Sequence, residues 1–130
     1  MTDSTIYKFT SYGEEKVGYV TSDGQIYSLL RQKGTVIGRY DPSGCIFRTT
    51  SHDERELGSV NQEGVIHSHG LFEGGELGWL EEDDVVMQGG LIFGEDDVGR
   101  VEGPRAREAA AALLLIFLPE EAEENRRMSR

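Results

Sequence analysis

The chain has 130 residues, one cysteine and a net charge of −11. That length makes one domain able to bury a core without disulfides, and Cys45, which has no internal partner, points to a reducing compartment, the cytoplasm. The acids gather in residues 51–130, nineteen against seven lysines and arginines, compared with five against six in residues 1–50; such a field repels phosphate backbones and anionic lipid heads and excludes nucleic acid as a partner.

The first segment, Met1-Thr2-Asp3-Ser4-Thr5, has neither a basic nor an apolar run, so no signal peptide is expected. Thr5-Ile6-Tyr7-Lys8-Phe9 reads as a strand. From there the chain repeats itself about every twenty residues. Val17-Gly18-Tyr19-Val20 returns as Ile37-Gly38-Arg39-Tyr40, Leu57-Gly58-Ser59-Val60 and Leu77-Gly78-Trp79-Leu80, then one residue late as Val98-Gly99-Arg100-Val101. A second string keeps the same beat at Ile6-Tyr7, Ile26-Tyr27, Ile46-Phe47, Ile66-His67 and Val86-Met87. Such a period marks a repeat architecture.

Between the two strings lie Thr21-Ser22-Asp23-Gly24, Asp41-Pro42-Ser43-Gly44 and Asn61-Gln62-Glu63-Gly64, whose residues suit tight turns. Hairpins are therefore predicted over 17–28, 37–48, 57–68 and 77–88. The fourth turn, Glu81-Glu82-Asp83-Asp84, lacks the glycine and is expected to be strained or of another type. Strand alternation turns the Gly18 and Val20 slots inward and the Tyr19 slot outward. Five inward glycines imply that something approaches the backbone closely.

The candidate for that approach follows Pro104. Residues 104–118 read as a helix, with four alanines and then leucines, and Ala109 to Leu118 is apolar on every side. A helix apolar all round is buried all round, and small alanines facing the glycines would satisfy both patterns. Its ten apolar residues are too few to span a bilayer, which needs about 20. Pro119 is expected to stop the helix and to leave 119–130 as a charged, disordered tail. The N-terminal strand lacks a first-string partner and Val98-Gly99-Arg100-Val101 lacks a second, so the two chain ends should pair and close the ring.

The Val-Gly-x-Val, Asp-Gly and Ile-Tyr strings with their hydrophobic C-terminal segment resemble the bacterial β-flower domains over residues 5–118. The resemblance implies hairpin petals around a C-terminal helix and carries no activity or site residues. The chain departs from the pattern at Asp84 and over Val85 to Gly94. The spacing of Gly18-Tyr19, Gly24 and Tyr27 is also similar to the choline-binding repeats of cell-wall proteins. Choline needs an aromatic cage, and here arginine takes the Tyr19 slot twice, at Arg39 and Arg100.

Little else carries chemistry. His67 and His69 share one strand face, with His52, Cys45 or a carboxylate as conceivable third metal ligands, but His67 stands in the aromatic slot of Tyr27 and Phe47, so the plain reading is packing. The acidic runs 81–84 and 95–97 have oxygens for a hard cation without an EF-hand spacing; they read as solvated loops. No nucleophile elbow, phosphate loop or cofactor motif is present. Tyr19 and Trp79, in the outward slot, are the candidate binding-surface aromatics, although a loop such as Leu71-Phe72 would cover a rim aromatic. The expectation is an all-β ring of hairpins, four petals plus a closing unit from the termini, around one buried C-terminal helix. It is read as a non-catalytic scaffold or protein-interaction module, with a choline-type ligand binder as the alternative. Its partner would be another protein or a second copy in a homo-oligomer.

Overall fold

The computed structural model describes residues 3–30, 34–69, 75–90 and 94–128. Ten antiparallel strands close into one barrel-like ring: β1 (Ser4–Thr10), β2 (Gly13–Val20), β3 (Gln25–Ser28), β4 (Thr35–Tyr40), β5 (Cys45–Thr49), β6 (Glu54–Val60), β7 (Val65–Ser68), β8 (Glu76–Leu80), β9 (Val85–Gly90) and β10 (Gly94–Glu102). Each strand pairs with its neighbours in sequence, and β1 pairs with β10 in the register Ile6↔Val101 and Tyr7↔Arg100. The two chain ends thus close the ring, as their orphan strings predict.

The turns follow one plan. Gly24, Gly44 and Gly64 take positive φ, and Asp84 does the same at φ 66°. The amide of each fourth turn residue donates to the carbonyl of the first, at 3.0–3.2 Å in all four turns. Asp84 therefore keeps the turn type and accepts a left-handed backbone that glycine holds at less cost. The carbonyls of Gly24, Gly44, Gly64 and Asp84 then accept from Tyr40, Val60, Leu80 and Val101 at 2.9–3.0 Å, so each turn is bonded to the first strand of the next hairpin. In the second turn the Ser43 hydroxyl and the backbone amides of Ser43 and Cys45 hold the Asp41 carboxyl below its usual range.

Every outer pairing between hairpins is bulged at the same place. Ile6 faces Gly18 while Tyr7 faces Lys16, and the pattern repeats at Ile26/Tyr27, Ile46/Phe47 and Ile66/His67, with the fifth at Asp97/Gly99. The residue skipped is the one before each repeated glycine: Val17, Ile37, Leu57, Leu77 and Val98. Bulges bend strands and raise local twist, and five of them curve the sheet into closure.

The core is the helical segment, made of α1 (Ala106–Ala112), a π-helical turn (Leu113–Phe117) and α2 (Leu118–Met128). Residues Ala109 to Phe117 are buried, among Ile6, Ile26, Ile46, Ile66 and Val86, which have no exposed surface. The glycines are indeed inward, but they do not face the alanines. A Cβ on Gly18, Gly38, Gly58, Gly78 or Gly99 would meet Phe117, Ile116, Leu115, Leu114 or Leu113 in turn, one large side chain for each glycine. Successive core residues thus address successive first strands around the ring. Five glycine-bearing strands call for a step of about 72° per residue, whereas an α-helix steps about 100°. The wider π turn, closed by the Leu118 amide on the Leu113 carbonyl, comes nearer to that step. No described helix is long and apolar enough to cross a membrane.

Pro119 does not stop the helix. The residues expected to form a disordered tail from 119 continue helical to Met128 in α2. Proline in a helix clashes with the carbonyl four residues back, here Leu115, which lies inside the widened π turn. Two charge pairs hold the emerging helix to the ring: Arg48 with Glu120 and Lys8 with Glu121.

Candidate functional site

The outward slot of each first strand sits opposite the outward slot of its hairpin partner, so this wall is built from cross-strand pairs. Tyr19 stacks on Tyr27, with ring centroids 4.8 Å apart and planes 7° from parallel. Trp79 is half-buried between Val65 on β7 and Met87 on β9. The two candidate anchors are not brought together, since β9, β10 and β1 lie between their strands. The proposed cover of Trp79 by Leu71-Phe72 lies outside the described residues.

Arginine fills the aromatic faces in two other hairpin pairings. The Arg39 guanidinium lies 4.0 Å from the Phe47 ring centroid and donates to both oxygens of Glu54 at 2.7 and 2.8 Å. Arg100 lies 4.1 Å from the Tyr7 ring and is paired with Glu14 and Glu102. These bonds hold the carboxyls of Glu54 and Glu14 below their usual range. The protein's own cations thus occupy the ring faces that a cation cage would need to leave open.

The metal candidates are dispersed. Both ring nitrogens of His69 are engaged, Nδ1 with Glu56 and Nε2 with the Ser59 hydroxyl at 3.2 Å. His67 pairs with Ser59 across the ladder, His52 is in an exposed loop, and Cys45 lies beside Ser43. The two acidic runs do meet, at a wide depression lined by Glu81, Glu82, Asp83 and Asp97 with Val85 and Met87. Among the described residues no three His, Cys, Asp or Glu side chains are placed to hold a metal ion.

A second concavity, of about 740 Å³, opens at the end of the ring from which α2 emerges. Leu30 precedes β4, Val36 and Ile37 stand on β4, and the edge of Phe117 forms the floor. Leu30 and Val36 are 45% and 42% exposed, unusual for large apolar side chains beside an otherwise closed core. Around them Lys8 is shared between Glu15, at 3.7 Å, and Glu121, while Arg48 binds Glu120 and donates to the Ile37 and Thr49 carbonyls at 2.8 Å each. Apolar floor and charged rim together are the arrangement of a ligand or peptide cleft. Sequence reasoning passed over it because Leu30 belongs to neither repeated string and Phe117 reads only as core. The available signal was Leu30 itself, an apolar residue at the edge of the variable segment that continues Arg31-Gln32-Lys33-Gly34.

No protein-family model, no curated protein and no solved structure matches this chain.

Proposed function

We propose that the chain is a non-catalytic interaction module, a small cytoplasmic scaffold of the β-flower kind. In this reading four hairpin petals, 17–28, 37–48, 57–68 and 77–88, and a fifth unit from the chain ends, 5–9 with 98–101, surround the core helix. The groove beside α2 is its binding surface. The observation that carries the reading is the contrast between two surfaces. On the wall Tyr19, Arg39 and Arg100 are engaged by Tyr27, Phe47 and Tyr7, whereas Leu30 and Val36 present apolar surface to solvent at the groove. Exposed apolar clusters with a polar rim mark interaction sites.

Proximity labelling in the producing cell tests it, comparing the natural chain with a Leu30→Ser, Val36→Asp double variant. Both positions are partly exposed, so the variant should retain a cooperative thermal transition. A set of labelled neighbours that disappears with the variant is expected. Identical neighbours for both chains would remove the groove from the function.

A further inference from the structure

We propose that Ser59 is an acceptor site for activated acyl groups, esters or thioesters, with His69 as its general base and Glu56 as the residue that orients His69. The three side chains lie on the outer wall of the third hairpin and share no residue with the groove. One transfer onto each chain is not turnover, so the site goes beyond the interaction-module reading and does not depend on it.

Ser59 Oγ is 3.2 Å from His69 Nε2, and His69 Nδ1 meets the Glu56 carboxylate. A carboxylate only accepts, so Nδ1 carries the proton, and in the neutral ring Nε2 is left to accept from the Ser59 hydroxyl. Nucleophile, base and orienting acid thus stand in the relation that acyl transfer uses, one recognised by geometry whatever the fold. The backbone builds it. Residues three apart on a regular strand face opposite ways, so Glu56 and Ser59 would not meet one imidazole. The bulge at Leu57 removes that obstacle. Ile46 pairs with Gly58 but Phe47 with Glu56, which returns Glu56 to the outer face beside Ser59. Ser59 pairs in turn with His67. His69, two residues on, shares that face, and its amide donates to the Leu57 carbonyl at 3.0 Å.

Among the four hairpins only the third has this set. In the others the Ser59 slot holds Tyr19, Arg39 or Trp79, and the His69 slot holds Leu29, Thr49 or Gly89. Reagents can reach it, since His69 and Glu56 are exposed and Ser59 is half-buried. In the proposed step Ser59 Oγ bonds to the acyl carbon while His69 Nε2 takes the hydroxyl proton. The bond from that carbon to the leaving alkoxide or thiolate then breaks, and Nε2 gives the proton to the leaving group. The chain ends as an ester at Ser59 and the donor as an alcohol or thiol. Glu56 stabilises the imidazolium formed on the way.

The test uses the full chain and p-nitrophenyl acetate as the acyl donor. Release of p-nitrophenolate is followed by absorbance, and the acetyl group is located by peptide mapping after an acid quench. Ser59→Ala defines the part of the release that depends on Ser59. That part should fall about a hundredfold in His69→Ala and about tenfold or more in Glu56→Gln, and stay unchanged in Glu63→Gln. All four positions face solvent at least in part, so each variant should keep a cooperative thermal transition. Mapping should find the acetyl at Ser59, distinct from Cys45, which stands opposite it on β5. Release as fast from Ser59→Ala as from the natural chain would overturn the proposal. Release that Ser59→Ala retains and His69→Ala loses would mean attack by the imidazole itself, and would overturn it too. A Ser59-dependent release that His69→Ala leaves intact would show that His69 is no base, with the same result.

Discussion

Gly58→Ala is the sharpest probe of why glycine recurs in the ring. The added Cβ would stand 2.1 Å from the His67 carbonyl oxygen and 3.0 Å from both Leu115 methyl carbons. Ordinary contact begins near 3.4 Å, so the carbonyl must retreat by more than 1 Å and the leucine by only a few tenths. Strand displacement decides the cost. Overpacking contributes about 1–3 kcal/mol, and one or two weakened ladder bonds near His67 add about 1 kcal/mol each. The lost backbone freedom of the unfolded glycine offsets about 0.4–1 kcal/mol. The expected net loss is about 2–4 kcal/mol in urea titration, with a fall in Tm on the order of 10 °C. Gly58→Ala in a Leu115→Val background isolates the cause. The leucine is the lesser obstacle, so the two costs should add within about 0.5 kcal/mol. If Leu115→Val rescued Gly58→Ala, the helix side chain and not the neighbouring strand would be what requires glycine. If Gly58→Ala were neutral, the packing account of the ring would fail.

Three further outcomes follow from the same geometry. Asp84→Gly, which replaces a left-handed aspartate by the residue its three sister turns use, should raise stability by about 0.5–1 kcal/mol in chemical denaturation; a loss would show that the Asp84 side chain contributes more than its backbone costs. Native-state amide exchange should find residues 5–8 as protected as 99–102, because β1 and β10 share a ladder; rapid exchange throughout 5–8 would mean an open arc. Glu14 and Glu54 have lowered folded-state pKa values, so their pairs stabilise the fold above the carboxylate's unfolded pKa, and this contribution is lost as pH falls through the folded one. Glu14→Gln and Glu54→Gln should therefore lower Tm at pH 7 and differ little from the natural chain in strong acid; a gap that persists unchanged into acid would assign the effect to packing.

The hairpins were legible because their determinants are local: Asp23-Gly24, Ser43-Gly44 and Glu63-Gly64 carry their turn chemistry in adjacent residues. The closure was legible because Ile6-Tyr7 and Val98-Gly99 are unmatched copies of strings whose pairing the chain displays elsewhere. The meeting of glycines with large side chains was not. Leu113 to Phe117 is apolar without interruption, so it has no period from which to read direction or the widening to a π turn. Pro119 misled for a related reason: the stop rule assumes an α-helix upstream, and here the preceding turn is π-helical. The groove escaped because it is assembled from positions outside the repeat, and sequence periodicity speaks only for what recurs.

That the core segment comes after all ten strands has a consequence for biosynthesis. At about 5–20 residues per second, a ribosome takes on the order of ten seconds to deliver this length of chain, and for most of that time Ile6, Ile26, Ile46 and Ile66 have nothing to enclose. Each nascent hairpin emerges with one sticky face and waits. Co-translational folding, the usual protection for early segments, is denied to this topology until Leu113 to Phe117 leave the exit tunnel. The acidic side chains that accumulate from residue 51 onward supply mutual repulsion between neighbouring nascent chains on one message during that wait. A premature stop before residue 113 would release a coreless chain, a ready substrate for proteolysis.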